Sequence, residues 1–363
     1  MAKETSDGNK TESYLQNSYR AVFRAMYDQT DSNIFEYSCF DYLKFHLFGD
    51  QGIFAVALQL GCPRILKYAV EEALKGENEQ KWAREAAKDP VNWLRLGLQL
   101  YSISITKEAI LHLAGRIAQL HALPPNAFPE PVLRTVFSIC DYLQSYRAEV
   151  EADVQNYVRK TLLPPRVNSG FVVKYNKNDL ADIGFDLIAF SVFEEWWRLT
   201  KVRMARLARV AWHAAIGDEK VVVDGAILRM MMNDEPDGGF QFYHRLKSNP
   251  EENLLPRDQV ERLTRRYHVT PKAVGIIYHK LENLKAGVLD LFGAILKNSS
   301  ILNKVEAAMD KSDPLEGKDS VVSPYLHFTC IDLADERVRV ILEQCEGFSW
   351  DESILENEEG VHS

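Results

Sequence analysis

The stretch Asp89–Arg116, DPVNWLRLGLQLYSISITKEAILHLAGR, constrains the fold more than any other part of the chain. It reads as two helices that must be buried. Asp89 suits an N-cap, and Pro90 fits the first helical position, where its missing N–H costs nothing. Trp93, Leu96 and Leu100 make one apolar row, and Leu94, Leu98 and Tyr101 make the next. Two adjacent rows give a stripe wider than a surface helix needs, so this helix is expected in the interior. Thr106 can cap the second helix, with Ala109, Ile110, Leu113 and Ala114 on its inner face. A tight pair of this kind is scaffold in a helical domain, and it carries no reactive side chain.

The rest of the chain repeats the helical theme. Its 363 residues allow two or three domains. Residues 1–12 are polar and read as a disordered tail. A helical N-terminal domain is expected over 13–165, with short helices at Tyr19–Tyr27, Tyr42–Phe48, Gly52–Leu60 and Arg64–Leu74. Gly61, Cys62 and Pro63 break the last two apart. Residues 78–88 read as a solvated helix anchored by Trp82. The four prolines of Leu123–Pro131 impose an extended connection, and Val132–Leu162 is a long helical pattern. Residues 166–184 read as a linker containing one β-type run, Phe171–Tyr175. A C-terminal helical domain spans 185–308, beginning with the long helix Phe185–Ala215 and its Trp196, Trp197 and Trp212. Within it, Lys220–Met232 fits strand or helix, and Pro256–Leu296 is helical in two or three pieces. A polar linker at 309–322, a compact segment at 323–350 and an acidic tail at 351–363 complete the chain. The fold class is therefore mostly α, a multi-helix scaffold with one or two short strand pieces.

Composition narrows the function classes. Apolar residues make up 46% and charged residues 26%, as in an ordinary globular protein with a real core. A net charge of −9 argues against nucleic-acid binding by the whole surface, though not by a local patch. The five cysteines are scattered and lack CxxC spacing, which fits a reduced intracellular compartment, cytoplasmic or nuclear. The first residues lack the apolar core of a secretory signal. The apolar run Ala286–Leu296 is interrupted by Asp290 and is too short for a bilayer, so no membrane partner is expected.

Two segments gather positive charge. Gln259–Leu284 reads as helix, break at His268–Thr270, and helix, with Val274 and Ile277 facing inward. This is the outline of a helix-turn-helix, in which Arg262, Arg265, Arg266 and Lys272 would meet phosphates. His268 stands where such a turn usually has Gly, and Thr264 where the tight packing position usually has Ala. The same pattern also fits a plain helical hairpin with solvated basic residues. On the tryptophan helix, Arg198, Lys201, Arg206 and Arg209 fall at helical spacing. They are candidates for meeting an acidic partner or the chain's own acidic tail, or they form a solvated face.

Reactive constellations are thin. His327 and Cys330 make HxxC with Asp332 nearby, but no second spaced pair completes a metal or nucleophile site, and the alternation of Tyr325, Phe328 and Cys330 fits a small buried strand. Asp237–Gly239 is a turn without the lysine of a phosphate loop. Glu194 and Glu195 are sequence neighbours on a helix and do not face each other. The residues imply no metal, no cofactor and no catalytic set; the remaining alternative is an enzyme whose site is assembled from distant residues and does not show in the sequence.

A resemblance adds to this. Gln59–Leu74, QLGCPRILKYAVEEAL, resembles the end of a BTB/POZ domain, and Lys81–Arg116 is similar to the region that follows that domain in a group of fungal BTB-type proteins. The matching residues are the Asp89–Pro90 step, Trp93, Leu94, Ser102, Lys107, Glu108, Ala109 and His112. The ending is similar too, through Tyr325, Leu326, Thr329, Cys330 and Trp350. The residues before Gln59 read as helices, so the β-sheet half of such a domain is reduced or missing. The resemblance implies a non-enzymatic adaptor that binds an unidentified protein partner, with a homo-oligomer as one option. In that group the segment matching Gln259–Leu284 precedes a helix like Leu281–Asn298, which favours the hairpin over a DNA reader.

Overall fold

The structure is a computed structural model that describes residues 5–27, 32–35, 40–116, 120, 123, 127–163, 177–216, 240–296 and 333–346. It is a mostly α, multi-helix scaffold, with no strand among the described residues. The two expected strand pieces, Phe171–Tyr175 and the Val221–Val223 part of Lys220–Met232, lie outside them, as do Tyr325–Cys330.

The opening pair forms α6 (Pro90–Leu100) and α7 (Ile103–Gly115). Asp89 caps α6 as expected, accepting from the Asn92 backbone N–H at 3.2 Å. The second cap is Ser102, not Thr106: its hydroxyl accepts from Ile105 N–H at 3.4 Å, so α7 starts a turn earlier than the sequence suggested. Tyr101 ends α6 in the left-handed conformation, φ 59° and ψ 38°, and this single residue turns the chain between two helices. The close approach of the pair rests on Gly97. A Cβ there would meet Thr106 Oγ1 at 2.6 Å and its backbone N at 2.7 Å.

Helix α7 is the centre of the molecule. From Ile105 to Gly115 every residue except Lys107 is buried, including Thr106, Glu108 and His112. Helix α6 packs along it, α5 (Glu79–Lys88) crosses it, and α8 (Glu130–Leu162) lies on another side. Helix α5 is less solvated than its composition implied, because Ala83, Ala86 and Ala87 are buried beside Trp82. Trp82 and Phe48 close on Trp93, with ring centroids at 5.6 and 5.1 Å.

An N-terminal layer covers this centre. It comprises α1 (Thr5–Tyr27), α2 (Phe40–Phe48), α3 (Ile53–Gln59) and α4 (Lys67–Ala73), with 3-10 turns at Ser32–Phe35, Pro63–Leu66 and Gly76–Asn78. The backbone is helical from Thr5, so the polar stretch expected as a tail over 1–12 is helix where it is described. The break at Gly61–Pro63 is present, and Gly61 takes a φ of 68°.

The second half is built on α9 (Lys177–Ile216), α10 (Phe240–Ser248), the short α11 (Pro250–Asn253), α12 (Arg257–Thr264) and α13 (Pro271–Ile295). Helix α9 already begins within the expected linker 166–184. Trp197 meets Phe193 of its own helix, Phe242 of α10 and Phe292 of α13, with centroids at 5.8, 5.0 and 6.0 Å. Helix α8 joins the halves, since it packs on α7, on α9 and on α13. A final helix, α14 (Asp335–Gln344), returns to α7 and α8. One contiguous buried cluster runs from Val22 to Leu342 among the described residues.

Among the described residues no single helix is long and apolar enough to cross a membrane. One pair, Phe40–Gln59 with Pro63–Ala73, passes by composition but is bent by 118°.

The α6–α7 contact gives a paired test. Gly97→Ala forces Thr106 away and should cost about 1–3 kcal/mol by overpacking. Gly275→Ala on α13, whose added Cβ meets nothing within 4 Å, should stabilise by about 0.5–1 kcal/mol through helix propensity. Urea unfolding of both variants measures the two signs.

Candidate interaction surface

The segment that outlines a helix-turn-helix does form helix, turn and helix. Helix α12 buries Val260, Leu263 and Thr264. The Thr264 hydroxyl, fully buried, donates to its own helix at the Val260 and Glu261 carbonyls, both at 2.9 Å. That bond spares the buried hydroxyl a desolvation cost and lets Thr occupy a tight packing position. A 3-10 turn, Arg265–Tyr267, follows, and His268 then takes the left-handed conformation, φ 49° and ψ 36°. His is among the non-glycine residues that tolerate this region best. Thr270 accepts from Ala273 N–H at 3.3 Å at the start of α13, whose Ile277, Leu281 and Leu284 face the core.

This segment leans on α9, and the contact joins the two basic sets read from the sequence. Arg266 donates to Glu195. Lys280 pairs with Asp186 at 2.7 Å. Arg262, Arg265 and Lys272 are exposed. On α9, Glu195, Arg198, Leu199 and Val202 are spaced i, i+3, i+4 and i+7 and therefore share one face. Arg198 is exposed, Leu199 is 38% and Val202 46% exposed, and Tyr267 beside Arg266 is 37% exposed. A mixed strip results. Apolar Leu199 and Val202 continue along the face of α9 that carries Glu195, the partner of Arg266, and Arg198 lies on the same face.

Of the expected stripe Arg198, Lys201, Arg206 and Arg209, Arg198 is exposed and Lys201 is engaged within the fold. Lys201 turns to α8 and donates to Glu151 at 2.7 Å. Arg206 and Arg209 are on the helical backbone of α9, and their side chains lie outside the described residues.

Glu151 is the polar node that sequence reasoning missed. Arg147 donates to it at 3.0 Å from one turn away, Lys201 reaches it from α9, and the fully buried Tyr243 donates from α10. Burial alone would raise the Glu151 carboxyl. The hydrogen bonds from Lys201 and Tyr243 and the charges of Arg147 and Lys201 outweigh it and hold the carboxyl below the ordinary value. Burial, together with the Glu151 charge, pushes the Tyr243 phenol well up, so it stays protonated and donating. Only the Arg147–Glu151 spacing was visible in the sequence, because the other partners come from distant segments.

Other polar side chains are turned inward. His112 Nε2 and Glu108 Oε1 are 3.1 Å apart on α7, and both side chains are almost wholly buried. Neither can meet an external substrate from there. His46 is buried against Tyr42 at 4.3 Å, its ring nitrogens have no hydrogen-bond partner among the described residues, and burial holds it below the usual histidine value. Glu194 and Glu195 act separately, since burial pushes Glu194 up while Glu195 takes Arg266. Cys62, Cys140 and Cys345 form no disulfide with one another among the described residues. Among the described residues no group of three or more His, Cys, Asp or Glu could hold a metal ion. His327, Cys330, Asp332 and Asp237–Gly239 lie outside the described residues.

Comparison with models of known families, with curated proteins and with solved structures finds no match for this chain.

The Glu151 node predicts an acid-sensitive tie between α8, α9 and α10. A carboxyl lowered by folding contributes stability above its unfolded value, about 4.3 for Glu, and loses it as pH falls through the folded value. Glu151→Gln should cost about 1.5–3 kcal/mol at neutral pH, with the gap to wild type closing on acidification. Denaturant midpoints between pH 7 and pH 3 measure it, and a gap constant with pH would contradict the role.

Proposed function

We propose that this chain is a non-enzymatic interaction scaffold, an adaptor that holds a partner protein on the strip formed by α9 and the α12–α13 turn. The carrying observation is the exposed set Arg198, Leu199, Val202 and Tyr267 beside Arg262 and Arg265. Several buried polar groups elsewhere are engaged within the fold, as in the Glu151 node and the Glu108–His112 pair. Exposed apolar side chains with cations on the same helix and on the segment packed against it fit an acidic, amphipathic segment, which buries the Leu and Val while its carboxylates meet the guanidinium groups. The five scattered cysteines, without CxxC spacing, support a cytoplasmic or nuclear setting.

Kinship with the helices that follow the BTB domain of fungal proteins is part of this reading. The residues that suggest it pack or pair: Trp93 in the core, Ser102 as a cap, Glu108 and His112 as a buried couple. The described residues of the N-terminal layer are helical, so the kinship covers helices and not the BTB sheet.

A second reading is favoured by His268 in the left-handed turn and Thr264 at the packing position: a nucleic-acid contact through Arg262, Arg265, Arg266 and Lys272. Part of that charge is already committed, since Arg266 pairs with Glu195.

The double variant Arg198→Glu with Arg265→Glu separates the cases. Under the adaptor reading, proteins captured from the native cell by the wild type are lost from this variant while its melting temperature is unchanged. Identical captured sets would remove the strip. Under the second reading, a DNA duplex binds the wild type with an affinity that falls steeply with salt and is lost in Arg262→Ala with Arg265→Ala.

A further inference from the structure

We propose that α14 is a built-in occupant of a helix-docking groove, and that a partner helix of the same pattern takes its place. This goes beyond the α9 strip and concerns the opposite side of the chain's order, where α14 lies on α7 and α8.

The groove has a specific chemistry because its occupant shows what it accepts. Helix α14 buries three side chains, Val338, Ile341 and Leu342, and leaves its other seven exposed. Each end is held by an ion pair. Asp335, in the first turn, meets Lys107 of α7 at 2.9 Å. Glu346, just past the last turn, meets Arg64 of the Pro63–Leu66 turn at 2.7 Å. Arg64 also lies over the ring of Tyr101, 4.7 Å from its centroid, so the left-handed Tyr101 helps hold the cation in place. The pattern is thus an acid, an apolar i, i+3, i+4 set, and a second acid, matched to a lysine at one end and an arginine at the other.

The same features make α14 separable. Ten residues are too few to hold a helix without the groove. Asp335, Glu346 and Arg64 are half or more exposed, so the ion pairs set register and contribute little grip. The described helix before it, α13, ends at Ile295, far back along the chain. The burial that keeps α14 seated is one short apolar face with Leu333 just ahead of it, whereas α7 beneath it is buried from Ile105 to Gly115 except at Lys107.

The probe is a fluorescent peptide of residues 333–346, titrated into the full chain. In the wild type α14 fills the groove, and the peptide binds weakly because only the open fraction accepts it. Ile341→Asp in the chain loosens its own α14, and the peptide should then bind at least about tenfold more tightly. Adding Lys107→Glu or Arg64→Glu should weaken that binding by about two- to fivefold each, and a peptide carrying Ile341→Asp should not bind. If Ile341→Asp lowers the helical content of the whole chain, the milder Val338→Ala with Leu342→Ala is the second variant, and because it thins the buried face that seats α14 it too should bind the peptide more tightly than the wild type. Peptide affinity equal to that of the wild type in a folded variant overturns the proposal: α14 is then a fixed part of the core.

Discussion

The approach of α6 to α7 at Gly97 and Thr106 is the contact on which the rest depends. Only a residue without Cβ lets Thr106 come this close. Once the pair is closed, α7 has no solvent face left from Ile105 onward except at Lys107. A helix enclosed in this way must be surrounded, and the chain supplies the walls in order: α5 and α6 first, then α8, and last α14 from the far end. Helix α8 carries the enclosure outward, because one of its faces meets α7 while others meet α9 and α13. The aromatic cluster around Trp197 and the polar node at Glu151 then hold the second half against it.

The distribution of charge follows from that enclosure. A carboxylate taken out of water needs donors, and Glu151 has them from three helices. Glu108 finds His112 one turn along. Such pairs consume side chains that, in isolation, look like reagents. Among the side chains left at the surface are Leu199, Val202 and Tyr267, together with Arg198, Arg262 and Arg265, the set proposed to hold a partner.

Much of the fold was legible in the sequence wherever periodicity was strong. Asp89 and Pro90 marked a helix start, Gly61–Pro63 a break, and Trp93, Trp196 and Trp197 the core, and each stands where the pattern put it. Capping by Ser102 rather than Thr106 was missed because both are good caps one turn apart, and the left-handed Tyr101 decides between them only in three dimensions. The site was less legible. Periodicity placed Lys201 on a basic stripe, yet its nearest strong acceptor, Glu151, is 50 residues away on α8 and draws it inward. The link between Arg266 and Glu195, which joins the two basic sets, spans 71 residues and has no local signal.

The central claim is that α7 and α8 weld the described helices into one cooperative core. Native-state hydrogen exchange tests it most directly. The account predicts that the slowest amides of α7, α8 and α13 exchange with one common free energy, equal to that of global unfolding. If the amides of α9 and α13 instead exchange together at a distinctly lower free energy than those of α6 and α7, the chain has two independently opening halves and the claim fails.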